Sequence, residues 1–415
     1  MDSLHVLKET LKSGVEEKKS IETLFLRLKK EKLGEEEEKE ARKVLLCLFR
    51  HYRSLSFETL NLAPFPSESD GFFASLSLLG LLRYSFLKKD VSGSFYELLQ
   101  ECGFEGDKEK LYASISEESK HPFVIPEEVK KAPYYYPSLR FEVPEFLFRR
   151  LCQDYGREEA FVIASSLEKR SSFLYESYEE GKNPLSLKEM RLSEFDTVYP
   201  SERPLGKENT DLYFPVSYVK SKGASEIPLP PLGPSILLIS PKSFALPLHF
   251  ALKTKDSFHA DCDVTVESFS LYRKLMDTHY QKAIEGLHVY QSAPKYVKTS
   301  LHYDSYDAVI YEGEDSGIGR ARLHPEVLAS LKEKDFEEAG KKQLEDLVEA
   351  AQFVKDGGTL LFTNNALDNE ETTSLVSSFL KREKRFRKLK DELILPTSSL
   401  FDSGYLALFT KEPKK

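Results

Sequence analysis

Two stretches constrain the fold of this chain more than any others: Tyr306–Pro325, YDAVIYEGEDSGIGRARLHP, and Lys355–Glu371, KDGGTLLFTNNALDNEE. Each joins a short apolar run to a polar, loop-forming one. Ala308 to Tyr311 reads as a buried strand that breaks into a glycine-punctuated loop. Gly357-Gly358 reads as a turn into a second buried strand, Thr359 to Thr363, which ends in Asn364 and Asn365. In an open α/β sheet, ligands sit beyond the carboxyl ends of the strands, so both loops are expected to face one crevice.

The chain before these stretches falls into two regimes. Apolar residues at helical spacing predict helices over 8–32, 40–55, 72–87, 95–102 and 108–114, with 72–87 apolar enough to be a central buried helix. Pro122, Pro126, Pro133 and Pro137 then read as a linker, because prolines at this density oppose both helix and sheet. An irregular proline-rich region follows over 197–234. From Ser235 strands and helices alternate: strands at 236–239, 306–311, 359–362 and 405–410, helices at 265–283, 336–353 and 372–384. The expected fold class is multidomain: an all-α domain over 1–133, a small α+β linker domain over 134–225, and an α/β Rossmann-like domain over 226–415.

Composition narrows the function. The chain has 415 residues, 40% hydrophobic and 31% charged, which is ordinary for globular domains with real cores. No apolar run is long enough to span a bilayer, and the first residues lack a signal pattern, so no membrane partner and a cytoplasmic location are expected. Cys47, Cys102, Cys152 and Cys262 form no paired motif; they read as reduced and structural, and no metal site is expected. A net charge of −9 opposes non-specific nucleic-acid binding, yet Lys381–Lys390, KREKRFRKLK, is locally very basic. That run reads as a solvated helix face, with RNA contact as the alternative.

The two opening stretches resemble the last motifs of the RsmB-like (Sun/Nop-type) RNA cytosine-5 methyltransferases. Ser316, Gly317, Gly319, Arg322, His324 and Pro325 match one motif frame. Gly357, Gly358, Thr359, Leu360, Thr363 and Glu370 match the other. The resemblance extends to residues 140–160 and implies helices over 140–151 and 154–165 and a strand near 170–178; by domain order it implies a NusB-like front domain. It also implies S-adenosylmethionine as cofactor and RNA, ribosomal RNA in particular, as partner. Asp315 and Asn364 stand at the two catalytic cysteine positions of the family. Ser240, Asp261, Ser292 and Glu312 stand at its cofactor positions, and Arg322, Lys384, Arg385 and Arg387 are the candidate RNA contacts.

The residue types at those positions argue against the family's chemistry. Methylation at C5 of cytosine needs a thiolate to add to C6 and a base to remove the C5 proton. An Asn364 amide cannot be that nucleophile, and an Asp315 carboxylate could serve only as a base. In the glycine turn that approaches the methionine end of the cofactor, Phe244 and Ala245 replace both glycines, and Leu238 replaces the turn's acid. The resemblance therefore implies a family member with a degenerate site. An active enzyme with a rebuilt site and a protein-interaction scaffold remain as alternatives.

Overall fold

The computed structural model describes residues 3–31, 33–169, 173–177, 190–191, 197–201, 213–215, 218–229, 234–239, 259–263, 287–290, 303–397 and 402–414. Only the backbone is described for the segments between 173 and 215 and for 259–263 and 287–290. The chain packs as two compact units, Met1–Lys169 with His324–Glu333, and Arg170–Leu323 with Lys334–Lys415.

The first unit is helical: α1 (Ser3–Glu16), α2 (Ile21–Lys30), α3 (Glu35–Arg50), α4 (Tyr52–Leu62), α5 (Asp70–Tyr84), α6 (Ser92–Glu101), α7 (Lys108–Glu118), α8 (Tyr135–Phe141), α9 (Glu145–Tyr155) and α10 (Arg157–Glu168). Its centre is α5, whose residues Gly71 to Leu81 are all buried, the environment a helix apolar on every side requires. Gly80 of α5 admits α3 at close range: a Cβ there would lie 2.3 Å from Cδ2 of Leu48. Arg83 at the end of α5 donates to both carboxylate oxygens of Glu58 on α4, at 2.6 and 2.9 Å, and to the carbonyl of Glu118 on α7. Among the described residues, no helix is long and apolar enough to cross a membrane.

Several predicted helices are broken in the structure. The helix expected over 8–32 is two, separated at Lys18, whose φ is +53°, with Ser20 accepting from the amide of Thr23 as a new amino-terminal cap. The helix over 40–55 is broken at His51. The one over 140–151 is broken at Glu142, whose left-handed φ of +56° ends α8. Pro137 lies inside α8 and not in a linker; it occupies the first turn, where its missing N–H has no intrahelical partner to lose. The helices of 135–168 fall in the first unit and the strands after Arg170 in the second.

The second unit holds two sheets. The smaller, of β1 (Phe173–Ser177), β2 (Met190–Arg191), β3 (Thr197–Ser201) and β4 (Tyr213–Pro215), is antiparallel in the order β2-β3-β1-β4. The larger comprises β5 (Ser235–Ile239), β6 (His259–Asp263), β7 (Leu287–Tyr290), β8 (Tyr306–Glu312), β9 (Val354–Asn364), β10 (Phe386–Ile394) and β11 (Gly404–Lys411). Its order is β10-β11-β9-β8-β5-β6-β7; β5 to β9 run parallel, β11 is antiparallel to β9, and β10, antiparallel to β11, runs in the direction of the other strands. Helices α11 (Tyr218–Ser225), α13 (Lys334–Ala351) and α14 (Thr373–Arg382) complete the described part of the unit, and α12 (Glu326–Ser330) lies in the helical unit. The core between sheet and helices centres on Val309, Tyr311, Leu347, Phe362, Phe379 and Phe409.

Two expectations change here. Gly357-Gly358 is not a turn before β9 but part of it, with Gly357 at φ +79° and a register shift against β8 between Tyr306 and Ala308. The basic run is not a helix face: α14 ends at Arg382, and Phe386 begins β10, an edge strand. The helix expected over 265–283 lies outside the described residues.

Candidate functional site

The order of the larger sheet reverses at β5, which has β6 on one side and β8 on the other. The carboxyl ends of β5, β8 and β9 therefore mark the crevice in which an open α/β fold binds ligands. The two stretches singled out in the sequence both emerge here. β8 and β9 are paired in parallel through Glu312 and Thr363, so their loops leave the sheet side by side.

The loops are stitched together by backbone and side chain alike. The amide of Gly313 donates to the carbonyl of Thr363 at 2.8 Å, and that of Gly319 to Asn365 at 2.7 Å. The amide of Ser403, just before β11, donates to the carbonyl of Gly319 at 2.9 Å. Only glycine fits at 319, because a Cβ would lie 2.0 Å from the Ser403 carbonyl oxygen and 2.8 Å from that of Asn365.

Asn364 and Asp315, the cysteine positions implied by the resemblance, are brought together on these two loops but occupy different environments. Asn364 is 1% exposed. Its Nδ2 donates to Oε1 of Gln343 and to the Glu371 carbonyl, both at 2.8 Å, and its Oδ1 accepts from the amide of Ala366 at 3.2 Å. Asp315 is half-buried, and its Oδ2 accepts from the amide of Asn365 at 2.7 Å. Asn365 in turn donates from Nδ2 to Asp402 at 3.0 Å and to the Ser403 carbonyl at 2.9 Å.

At the centre of this lattice sits Glu371, fully buried. Its Oε1 accepts from the amide of Ser316 and from Nε2 of Gln343, each at 2.9 Å. Oε2 accepts no N–H or hydroxyl hydrogen bond among the described residues, and the neighbouring Asp368 carboxyl is the group with which Glu371 shares a hydrogen bond. Burial pushes the Glu371 carboxyl well above the usual carboxylate range, and the nearby charges of Asp368 and Asp315 push the same way. Desolvation and like-charge repulsion both favour the neutral acid, so this group holds a proton at a pH where ordinary carboxylates have lost theirs.

Neither Glu371 nor Gln343 stands out in the sequence. The signal for Gln343 is its place on α13 in register with the buried Phe336, Leu347 and Ala350: a polar residue on an apolar stripe needs a buried partner. Glu371 follows Glu370 in the second motif frame, but Glu370 is exposed and Glu371 is the buried member of the pair.

The cofactor positions are spread differently. Glu312, at the end of β8, is 1% exposed and forms a buried ion pair with Lys220 of α11. A carboxylate held in this way does not fit the part of an acid offered to a cofactor ribose. Asp261 is placed on β6 by its backbone alone. Ser240 and Ser292, with Phe244 and Ala245, lie outside the described residues.

The candidate RNA contacts also separate. Arg322 is 6% exposed and donates from Nη1 to the Pro396 carbonyl at 3.4 Å, the setting of a loop anchor. Arg385 is partly buried, donating to the Glu412 carbonyl and paired with Asp356. Lys384 and Arg387 are exposed, as are Lys381 and Arg382, and none of the four has an acidic partner among the described residues.

A sheet of six parallel strands with one antiparallel strand, β11, inserted beside its edge strand, its order reversing at β5, has the Rossmann-like fold seen in methyltransferases. Residues 273–409 match the family model described as 16S rRNA methyltransferase RsmB/F, about a third of the chain. A stretch of 79 residues, 19% of the chain, is 34% identical to the Ribosomal RNA small subunit methyltransferase B of Thermus thermophilus and spans 20% of that protein. In fold the chain is similar to PH0851, with a TM-score of 0.76 at 14% identity over 99% of this chain and 98% of that one. It is also similar to NSun6 from Pyrococcus horikoshii, solved with SFG, with a TM-score of 0.54 at 11% identity over 65% of this chain and 99% of that one. Over residues 273–409 the chain is thus similar to the RsmB/F methyltransferases, and along its length it shares a fold with PH0851.

Proposed function

We propose that this protein is an RsmB/Nop-type RNA (cytosine-5) methyltransferase-family member that associates with ribosomal RNA in the cytoplasm and no longer transfers methyl groups. In this reading residues 1–133 are a NusB-like domain, 134–225 the linker domain and 226–415 the methyltransferase-type domain. The observation that carries it is the state of Asn364. A nucleophile must reach a nucleobase, whereas this side chain is 1% exposed with its amide hydrogens and its oxygen engaged by neighbours. Asp315, at the other cysteine position, holds the backbone of Asn365 instead. The polar groups left around these positions tie two loops together, and Glu312 is engaged by Lys220. The names of the family model and of the curated relative support ribosomal RNA as the partner.

Calorimetry of the full chain with S-adenosylmethionine, alongside methyl transfer to unmodified small-subunit rRNA, tests the loss of chemistry. No heat at millimolar cofactor and no label on RNA are expected; saturable binding with turnover sinks the proposal. Mobility shift with the same RNA tests the association.

A second reading, an enzyme rebuilt for another acceptor, is favoured by Glu371 alone. A buried acid that keeps its proton is what proton transfer requires. Turnover abolished by Glu371→Gln would establish it.

A further inference from the structure

His324 belongs to the motif that carries the family resemblance, yet it lies in the helical unit, where α2 meets the segment leading into α12. Its Nδ1 is 3.3 Å from Oε1 of Glu326 and 3.6 Å from Oε1 of Glu22. All three donor atoms lie within 4.8 Å of one another. One imidazole and two carboxyl groups converge on one point, and an Nδ1–H could satisfy only one of the two acids.

We propose that Glu22, His324 and Glu326 form a binding site for a divalent first-row metal ion, zinc being the best fit. Zinc bound at about 2.0–2.1 Å by tetrahedral ligands sets neighbouring donor atoms roughly 3.3–3.4 Å apart. The two measured separations lie at and just beyond that spacing. A nitrogen donor beside carboxylates suits zinc better than magnesium or calcium, which favour oxygen throughout.

A second observation points the same way. Glu326 is 4% exposed; its Oε1 accepts from the amide of Ile21 at 2.9 Å, but its Oε2 is buried with no hydrogen-bond partner among the described residues. A carboxylate buried with one oxygen unsatisfied is expensive unless a cation compensates it. Glu22 brings the third ligand from the first turn of α2, and three protein ligands leave a fourth position for water. The ion would staple α2 to a segment some three hundred residues later in the chain, closing a long loop.

The test uses the full chain, stripped with chelator and titrated with zinc by calorimetry and with cobalt by visible absorption. One equivalent is expected, with tetrahedral cobalt bands and a zinc-dependent rise in melting temperature. Glu22→Gln and His324→Ala are each expected to weaken binding about tenfold or more and to remove that rise. Glu22 is largely exposed, so Glu22→Gln carries the test should His324→Ala fail to fold. No uptake, or uptake unchanged in Glu22→Gln, overturns the proposal.

Discussion

Asn364 occupies the place where a reactive side chain would be expected, and what surrounds it is the chemistry of a core. Replacing it with alanine withdraws the donor from two buried oxygens, those of Gln343 and of the Glu371 carbonyl. A buried acceptor left without a partner costs about 1–3 kcal/mol, so Asn364→Ala is expected to lower unfolding stability by at least that much, as read in urea melts. Glu371 adds a pH dependence. A carboxyl whose pKa is raised in the folded state keeps a proton that the unfolded chain releases. Its stabilisation is complete below the ordinary carboxylate range and is lost as pH rises through the folded value. Glu371→Gln keeps the oxygen that accepts from Ser316 and Gln343. Melting temperatures of the two proteins should therefore converge in acid, with the variant ahead at alkaline pH; parallel curves would contradict this. Gln343 is legible only as an anomaly on an apolar helix face, because a partner on another element leaves no trace in a helix's own periodicity.

At the scale of elements, the legible ones are those whose residues all say the same thing. α5, β8 and β11 are continuous apolar runs, and burial on every side is the only environment that suits them. β10 reads as a helix face because an edge strand has a solvated side, and its Arg387, Lys388 and Lys390 look like any charged surface run. Its charges have a physical role, since cations along an exposed edge discourage pairing with other chains. Arg387→Val combined with Lys388→Val is expected to leave the melting temperature nearly unchanged while raising self-association in light scattering; a monomeric variant refutes this. The crossing of the two site loops before β11 depends on one glycine. Gly319→Ala forces a methyl group onto the carbonyls of Ser403 and Asn365 and is expected to destabilise the fold by about 3 kcal/mol, measured by thermal unfolding.

For the molecule as a whole, charge sets the terms of any RNA association. With a net charge of −9, binding depends on local cations, and Lys381, Arg382, Lys384 and Arg387 are exposed and without acidic partners among the described residues. Charge-neutralising changes at Lys384 and Arg387 should weaken RNA binding across sequences and lower the salt slope of the affinity by about 1 for each phosphate left without its cation. An unchanged slope in mobility shifts over a salt series would place the RNA against another surface. By itself the sequence determined the helical front, the parallel sheet and the two loops at its switch point, because backbone propensity and hydrophobic period are local properties. Tertiary structure alone decided that Asn364 is a buried strut, that the Glu371 carboxyl is pushed well above the usual carboxylate range, and that His324 meets a glutamate from α2. Those facts depend on which distant groups share a desolvated space, and the energy of a charge or a hydrogen bond is set there rather than along the chain.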